Sequence, residues 1–276
     1  MNIKEAWMWL KAELAANNID SAALDASLLL EKVTLLNRVQ QIAHDDRSLL
    51  DKELRELQEL LKKRQQGYPM AYIMGFKEFY GLKLKVTPAT LIPRPDTETL
   101  VDHFLSLNIR GSVLDLGTGS GAIILALKHE LKDKIKAYAT DVCESTLKVA
   151  QENAKSLNLE VEFLLSDWFS NLKPLKFDAI VSNPPYIDEN DAHLHETSLP
   201  FEPRQALVSD EHGLGALTTL IREAKAYLKD KAPLLLEHGY NQGCEVRKTM
   251  LDEGYSHVQT LKDLGGNDRV TLGFKN

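Results

Sequence analysis

The sequence predicts an α/β protein in which a mainly parallel sheet, covered by helices on both faces, follows a small all-helical domain. Three observations carry this expectation. Beyond Pro95, short apolar runs alternate with amphipathic stretches of helical period. Before Gly67 the chain has neither glycine nor proline, and Leu50, Leu54, Leu57 and Leu61 recur along one helical face. Between these regions Gly67, Pro69, Gly75, Gly81, Pro88, Pro93 and Pro95 punctuate the chain as a joint would.

The front domain is assigned to residues 1–72. Its segment 22–36 is apolar on more than one side, as befits a helix at the centre of a small bundle. Ser48 followed by Asp51 has the spacing of a capping box and is expected to start the last helix. Residues 73–92 read as a β-hairpin linker, because Leu82-Lys83-Leu84-Lys85-Val86 alternates with the two-residue period of a strand. The remaining domain, 93–276, offers strands near 112–116, 136–140, 161–165, 177–182, 233–238, 256–261 and 269–274. Helices are expected near 122–131, 144–157, 214–228 and 242–252. No helix separates the last two strands, and the short Gly265-Gly266-Asn267-Asp268 connection makes them antiparallel neighbours.

Composition narrows the functional classes. The formal net charge of −7 argues against sequence-independent binding to nucleic acid, which draws its affinity from Lys and Arg at phosphates. The front domain, with 10 basic and 11 acidic residues, is no basic clamp either. Cys143 and Cys244 lack metal-binding spacing and read as reduced thiols. Lys4, Glu5, Lys11 and Glu13 interrupt the first apolar segment, and no run is long enough to span a bilayer, so a cytoplasmic protein is expected. His193, His195 and His212 form no metal pattern.

The first strand of the second domain runs through Val113-Leu114-Asp115-Leu116 into Gly117-Thr118-Gly119-Ser120-Gly121. Glycines in a strand-to-helix turn let the backbone bend sharply and approach a ligand closely. Asp141 ends the next strand about 20 residues on, where an acidic side chain accepts a ribose hydroxyl. The Gly-x-Gly-x-Gly spacing, with Asp115 just before it, leans away from a pyrophosphate and suits a nucleoside carrying a sulfonium amino acid. Trp168, after the third strand, serves either as an adenine wall or as a core aromatic.

Asn183-Pro184-Pro185-Tyr186 stands at the carboxyl end of the apolar segment 177–182. If this fourth strand lies beside the first, Asn183 faces the glycine turn across the crevice where open α/β sheets bind ligands. The residue types fit methylation of a planar nitrogen, whose lone pair is delocalised into its π system. The Asn183 side-chain oxygen and the Pro184 carbonyl can each accept one N–H and so orient that lone pair. Pro184 and Pro185 fix the backbone in advance, and Tyr186 can lie against the planar group. No side chain of the motif is a base, so the proton is expected to leave to solvent.

On these residues the chain resembles the HemK/PrmC family, methyltransferases acting on the glutamine of the Gly-Gly-Gln motif in peptide chain release factors. The resemblance extends through Ile92-Pro93-Arg94-Pro95-Asp96-Thr97-Glu98, Ser182 to Ile187, Phe201-Glu202-Pro203-Arg204, Leu235 to Gly239 and Asp268-Arg269-Val270, although Asp96 stands where the family more often has Glu. It implies a Rossmann-like class I methyltransferase sheet, mostly parallel with the last strand antiparallel, and S-adenosyl-L-methionine as cofactor. By position it implies that Gly117, Thr118, Gly119, Ser120, Gly121, Asp141, Trp168 and Asn183 contact the cofactor, that Asn183, Pro184, Pro185 and Tyr186 hold the glutamine amide, and that Asn183, Pro184 and Tyr186 serve catalysis. The partners implied are class I release factors, recognised in part by the front domain, with a monomer expected and no metal. Arg94 and Arg204 serve either as grips on the release factor or as ordinary salt bridges. The same Asn-Pro-Pro-Tyr motif occurs in amino-methyltransferases of DNA or RNA, acting on adenine N6 or guanine N2, which is the alternative reading.

Overall fold

The computed structural model describes residues 1–196 and 198–276. The chain divides into two compact units, Met1–Gly75 and Phe76–Asn276.

The first unit is helical, built from α1 (Ile3–Ala16), α2 (Ala22–Thr34), α3 (Arg38–Ala43), α4 (Asp51–Gln65) and α5 (Met70–Met74). Leu10, Leu14, Leu29, Leu30, Leu57 and Leu61 close its core. The last long helix starts differently from the expectation. Ser48 is drawn into a β-bridge with Asn2, so Leu50 becomes the residue before α4 and the Glu53 carboxylate takes its N–H at 2.8 Å. Leu50 is therefore exposed, whereas Leu57 and Leu61 on the same periodic face are buried.

The second unit opens with the hairpin β1 (Phe76–Phe79) and β2 (Leu82–Lys85). This hairpin is part of the second unit's core rather than a linker, because Phe79, Leu82 and Leu84 pack in one cluster with Leu100, Phe104, Ile124 and Leu127. There follow α6 (Glu98–Ser106), β3 (Gly111–Leu116), α7 (Ala122–Leu131), β4 (Ile135–Asp141), α8 (Glu144–Ser156), β5 (Val161–Leu165) and β6 (Ala179–Ser182). The unit ends with α9 (Asp210–Gly213), α10 (Gly215–Tyr227), β7 (Pro233–Glu237), α11 (Gly243–Asp252), β8 (Tyr255–Lys262) and β9 (Asp268–Lys275).

The seven strands β3 to β9 form one sheet in the order β5-β4-β3-β6-β7-β9-β8. The first five of them run parallel, and β9 lies antiparallel to both β7 and β8. Val113, Leu114, the apolar residues of β6 and the Leu234–Leu236 run are buried, as central strands covered on both faces require. Strand order reverses beside β3, which β4 and β6 flank, and this is where an open α/β sheet leaves a crevice. Among the described residues no helix is long and apolar enough to cross a membrane.

Candidate active site

The sheet register lines up the ends of four neighbouring strands. Leu116 pairs with Thr140 on one side and Ser182 on the other, and Ser182 pairs with Leu236. The next residue of each strand is therefore Asp141, Gly117, Asn183 or Glu237, delivered at one level along the carboxyl edge. The Ser182 hydroxyl donates to the Leu116 carbonyl at 2.7 Å and ties the two central strands at that level.

The glycine turn is shaped by what surrounds it. Gly117 has φ +67°, and a Cβ there would stand 3.3 Å from the Trp168 ring, so a side chain would be strained and would crowd the aromatic wall. Gly119 has φ +59° and faces open space. The Thr118 hydroxyl donates to the Asp115 carboxylate at 2.6 Å. Asp115 is fully enclosed, and burial pushes its carboxyl up to about 7 against the bond from Thr118.

Asp141 braces the turn from β4. Its Oδ2 accepts the Gly119 N–H at 2.9 Å and its Oδ1 accepts the Cys143 N–H at 3.0 Å. Burial raises its pKa while the N–H groups of Cys143, Gly119 and Val142 work in the opposite direction. Each carboxylate oxygen has a further lone pair for a hydroxyl at the cleft.

Across the crevice, the Asn183 Nδ2 donates to the Thr97 hydroxyl at 3.3 Å, which leaves Oδ1 as the amide atom free to meet a ligand N–H. Tyr186 turns its hydroxyl inward to Glu237 Oε1 at 3.4 Å, and its carbonyl accepts from Gln242 Nε2 at 3.0 Å. Burial beside the Glu237 charge raises the pKa of that phenol.

One cleft gathers most of these groups. Gly117, Thr118, Gly119, Ser120, Asp141, Trp168, Asn183 and Pro185 all line it. Gly121 stands off the lining and packs toward Leu125 and Ala150, while Pro184 is buried and Tyr186 sits behind the surface against Glu237. The lining also includes Arg94, expected as a grip or a salt bridge, and residues outside the predicted site, among them Ala89, Thr97, Thr146 and Gln205. Arg94 and Thr97 lie in the Ile92 to Glu98 stretch, and Gln205 directly follows Phe201-Glu202-Pro203-Arg204, so those stretches are the signal that points to them. Nothing in the local pattern marks Ala89 or Thr146; the Thr146 hydroxyl reaches the Ala89 carbonyl at 2.6 Å only in the folded chain. Arg94 is in a salt bridge with buried Glu202, and Arg204 is exposed. His193 and His212 pair with Asp191 and Asp188 at 2.7 and 2.8 Å. No metal-holding cluster occurs among the described residues.

Comparison with known proteins finds two family matches, one in each unit. Residues 5–75 match the PrmC N-terminal domain, and residues 95–266 match the Methyltransferase small domain. A release factor glutamine methyltransferase from Salmonella typhimurium is 48% identical over 257 residues, 92% of this chain and 92% of its own. Those of Shewanella oneidensis and Escherichia coli are each 43% identical, over 98% and 96% of this chain and 95% and 97% of their own lengths. The chain belongs to the release factor glutamine methyltransferase family. Among solved structures, a methyltransferase from Pyrococcus furiosus is similar with a TM-score of 0.54 at 22% identity, over 81% of this chain and 98% of its own. That likeness shows the fold, a Rossmann-like methyltransferase sheet. Within the family's methyltransferase stretch lie Gly117, Asp141, Asn183 and Glu237, which the register brings to one edge, and Trp168, which lines the same cleft as the first three.

Proposed function

We propose that this chain transfers a methyl group from S-adenosyl-L-methionine to the side-chain amide nitrogen of the glutamine in the Gly-Gly-Gln motif of class I peptide chain release factors, releasing S-adenosyl-L-homocysteine. The single observation that carries the reading is the strand register, which sets the glycine turn and Asn183 side by side across the crevice. The residues present suit the cofactor: Gly119 faces open space, Trp168 offers an apolar wall and Asp141 has lone pairs for a ribose hydroxyl. When bound, that cofactor supplies a methyl group activated by its sulfonium.

The protein's own work is positioning. Asn183 Oδ1 and the Pro184 carbonyl accept the two N–H groups of the glutamine amide, so the nitrogen presents its lone pair toward the glycine turn. The same acceptors stabilise positive charge as it develops on nitrogen. Thr97 holds the Asn183 amide the right way round through Nδ2. Proline at 184 and 185 restricts the backbone before any substrate arrives. The proton then leaves to solvent. Glycines flanking the substrate glutamine give its loop the slimness to enter the cleft. The formal net charge of −7 weighs against a nucleic-acid substrate. The reading implies a monomer working in the cytoplasm, with the helical unit recognising the body of the release factor.

Incubation with methyl-labelled cofactor and, separately, a release factor, its Gln→Ala variant, DNA and RNA tests this. Label is expected on the release factor alone; label on nucleic acid and none on the release factor would replace the substrate. Asn183→Ala is expected to abolish turnover while cofactor affinity stays within about tenfold, the scale of one lost hydrogen bond. Full turnover in that variant removes Asn183 from the mechanism.

A further inference from the structure

Glu202 is an acid with its side chain entirely out of solvent, yet it has no place in the chemistry described above. Its Oε2 accepts the Ile92 N–H at 3.0 Å, and its Oε1 accepts Arg94 Nη2 at 2.5 Å and the Ser198 hydroxyl at 2.9 Å. Arg94 Nη1 in turn donates to the Ile92 carbonyl at 2.7 Å. One carboxylate thus ties two segments that are 110 residues apart in sequence.

Both segments reach the cleft, and both lead to the Asn-Pro-Pro-Tyr stretch. The first brings Pro93 and Arg94 to the lining and continues to Thr97, which accepts from Asn183. The second brings Pro203, Gln205 and Ala206 to the lining and continues to Leu207, whose carbonyl accepts the Ile187 N–H at 2.9 Å; Ser209 N–H returns to the Ile187 carbonyl at 3.0 Å. The stretch from Asn183 to Ile187 is therefore held at one end by each segment, and Glu202 is the tie between them.

We propose that Glu202 is a positioning residue for the acceptor end of the cleft, fixing the spacing of the two segments between which the target amide enters. The proposal rests on the methyl-transfer reading for what the cleft admits, and on geometry alone for the tie. A carboxylate is required because three donors converge on it and it offers only acceptors. A glutamine of the same size must turn its NH2 toward Ile92 N–H or toward Arg94 and Ser198, so one arm opens. The cofactor end, built by β3, β4 and the glycine turn, is not reached by that arm.

The test compares wild-type protein with Glu202→Gln by amide hydrogen exchange, by calorimetric binding of S-adenosylmethionine, and by steady-state methylation of a release factor. Exchange is expected to quicken in residues 90–96 and 199–207 together, as local tethering is lost. The KM for the release factor is expected to rise about tenfold or more, with the cofactor Kd within about threefold, because only the acceptor end loses a charge-assisted bond. Unchanged exchange in either segment overturns the tie. Quicker exchange with an unchanged KM overturns the positioning role, since a purely structural acid predicts that result. Should Glu202→Gln fail to fold, Arg94→Gln removes the ion pair that crosses between the two segments and carries the same exchange expectation in weaker form. If wild-type protein leaves the release factor unmethylated, the functional reading fails while exchange still decides the tie.

Discussion

Glu237 ends β7 in the same row as Gly117 and Asn183, and its carboxyl is fully enclosed. Burial is the dominant influence on it and pushes the pKa up to about 7. Thr97, Arg269 and Tyr186 pull the other way, and Asp96 adds to the rise. Arg269 is itself held by Asp263 at 3.0 Å and lies 3.6 Å from Asp96. The native state therefore keeps a proton that the unfolded chain releases near its ordinary value of 4.5. Stability from this group is fully present below that value and is lost as pH rises through about 7. Glu237→Gln cannot ionise, so its stability relative to wild type is expected to increase between about pH 5 and about pH 8, by up to about 3 kcal/mol. Thermal unfolding of both proteins at the two pH values checks this; an unchanged difference in Tm would mean that Glu237 does not titrate in that window. The sequence made Asn183 and the prolines legible because their chemistry is local. Glu237 stood in the sequence at the end of an apolar run and inside the Leu235 to Gly239 stretch of the resemblance, but its raised pKa was not legible, since the burial of its charge depends on strands brought together by folding.

At the scale of elements, periodicity found every strand of the large sheet, and the segments 161–165 and 122–131 match β5 and α7 residue for residue. Where the reading departed, tertiary pairing had decided. Phe177 reads as strand, yet it forms only an isolated bridge with Leu228, and β6 itself begins at Ala179. Ser48 has good capping chemistry but is taken by Asn2. Asn153 of α8 shows the same limit, since a helix asparagine looks solvent-facing in sequence. In the structure its Nδ2 donates to the Lys85 and Ser120 carbonyls at 3.0 and 2.9 Å, and its Oδ1 accepts the Lys85 N–H at 2.7 Å. One side chain thereby extends the pairing of β2 and grips the glycine turn. Asn153→Ala leaves those groups without their partner and is expected to cost about 2–4 kcal/mol, with a severalfold weaker cofactor affinity as the turn loosens. Urea unfolding and calorimetric titration measure the two effects. An unchanged urea midpoint would deny Asn153 its bridging role.

For the whole molecule, the decisive property is that each unit closes its own apolar core. Two clusters, one led by Phe79, Phe104 and Ile124 and the other by Leu114, Phe177 and Leu220, lie wholly within Phe76–Asn276. The cluster of Leu10, Leu29 and Leu57 lies wholly within Met1–Gly75. A fragment of residues 76–276 retains the complete sheet and every cleft-lining residue, so it should fold and bind S-adenosylmethionine within about threefold of the full chain. If the helical unit supplies recognition of the release factor body, removing it takes away binding contacts while leaving the reacting geometry in place. The fragment should then methylate a short Gly-Gly-Gln peptide about as fast as the full chain but lose about tenfold or more in kcat/KM on an intact release factor. Equal kcat/KM for fragment and full chain on the intact factor would strip the helical unit of that role. Loss of activity on the peptide as well, in a fragment that still binds cofactor, would overturn the separation of recognition from chemistry.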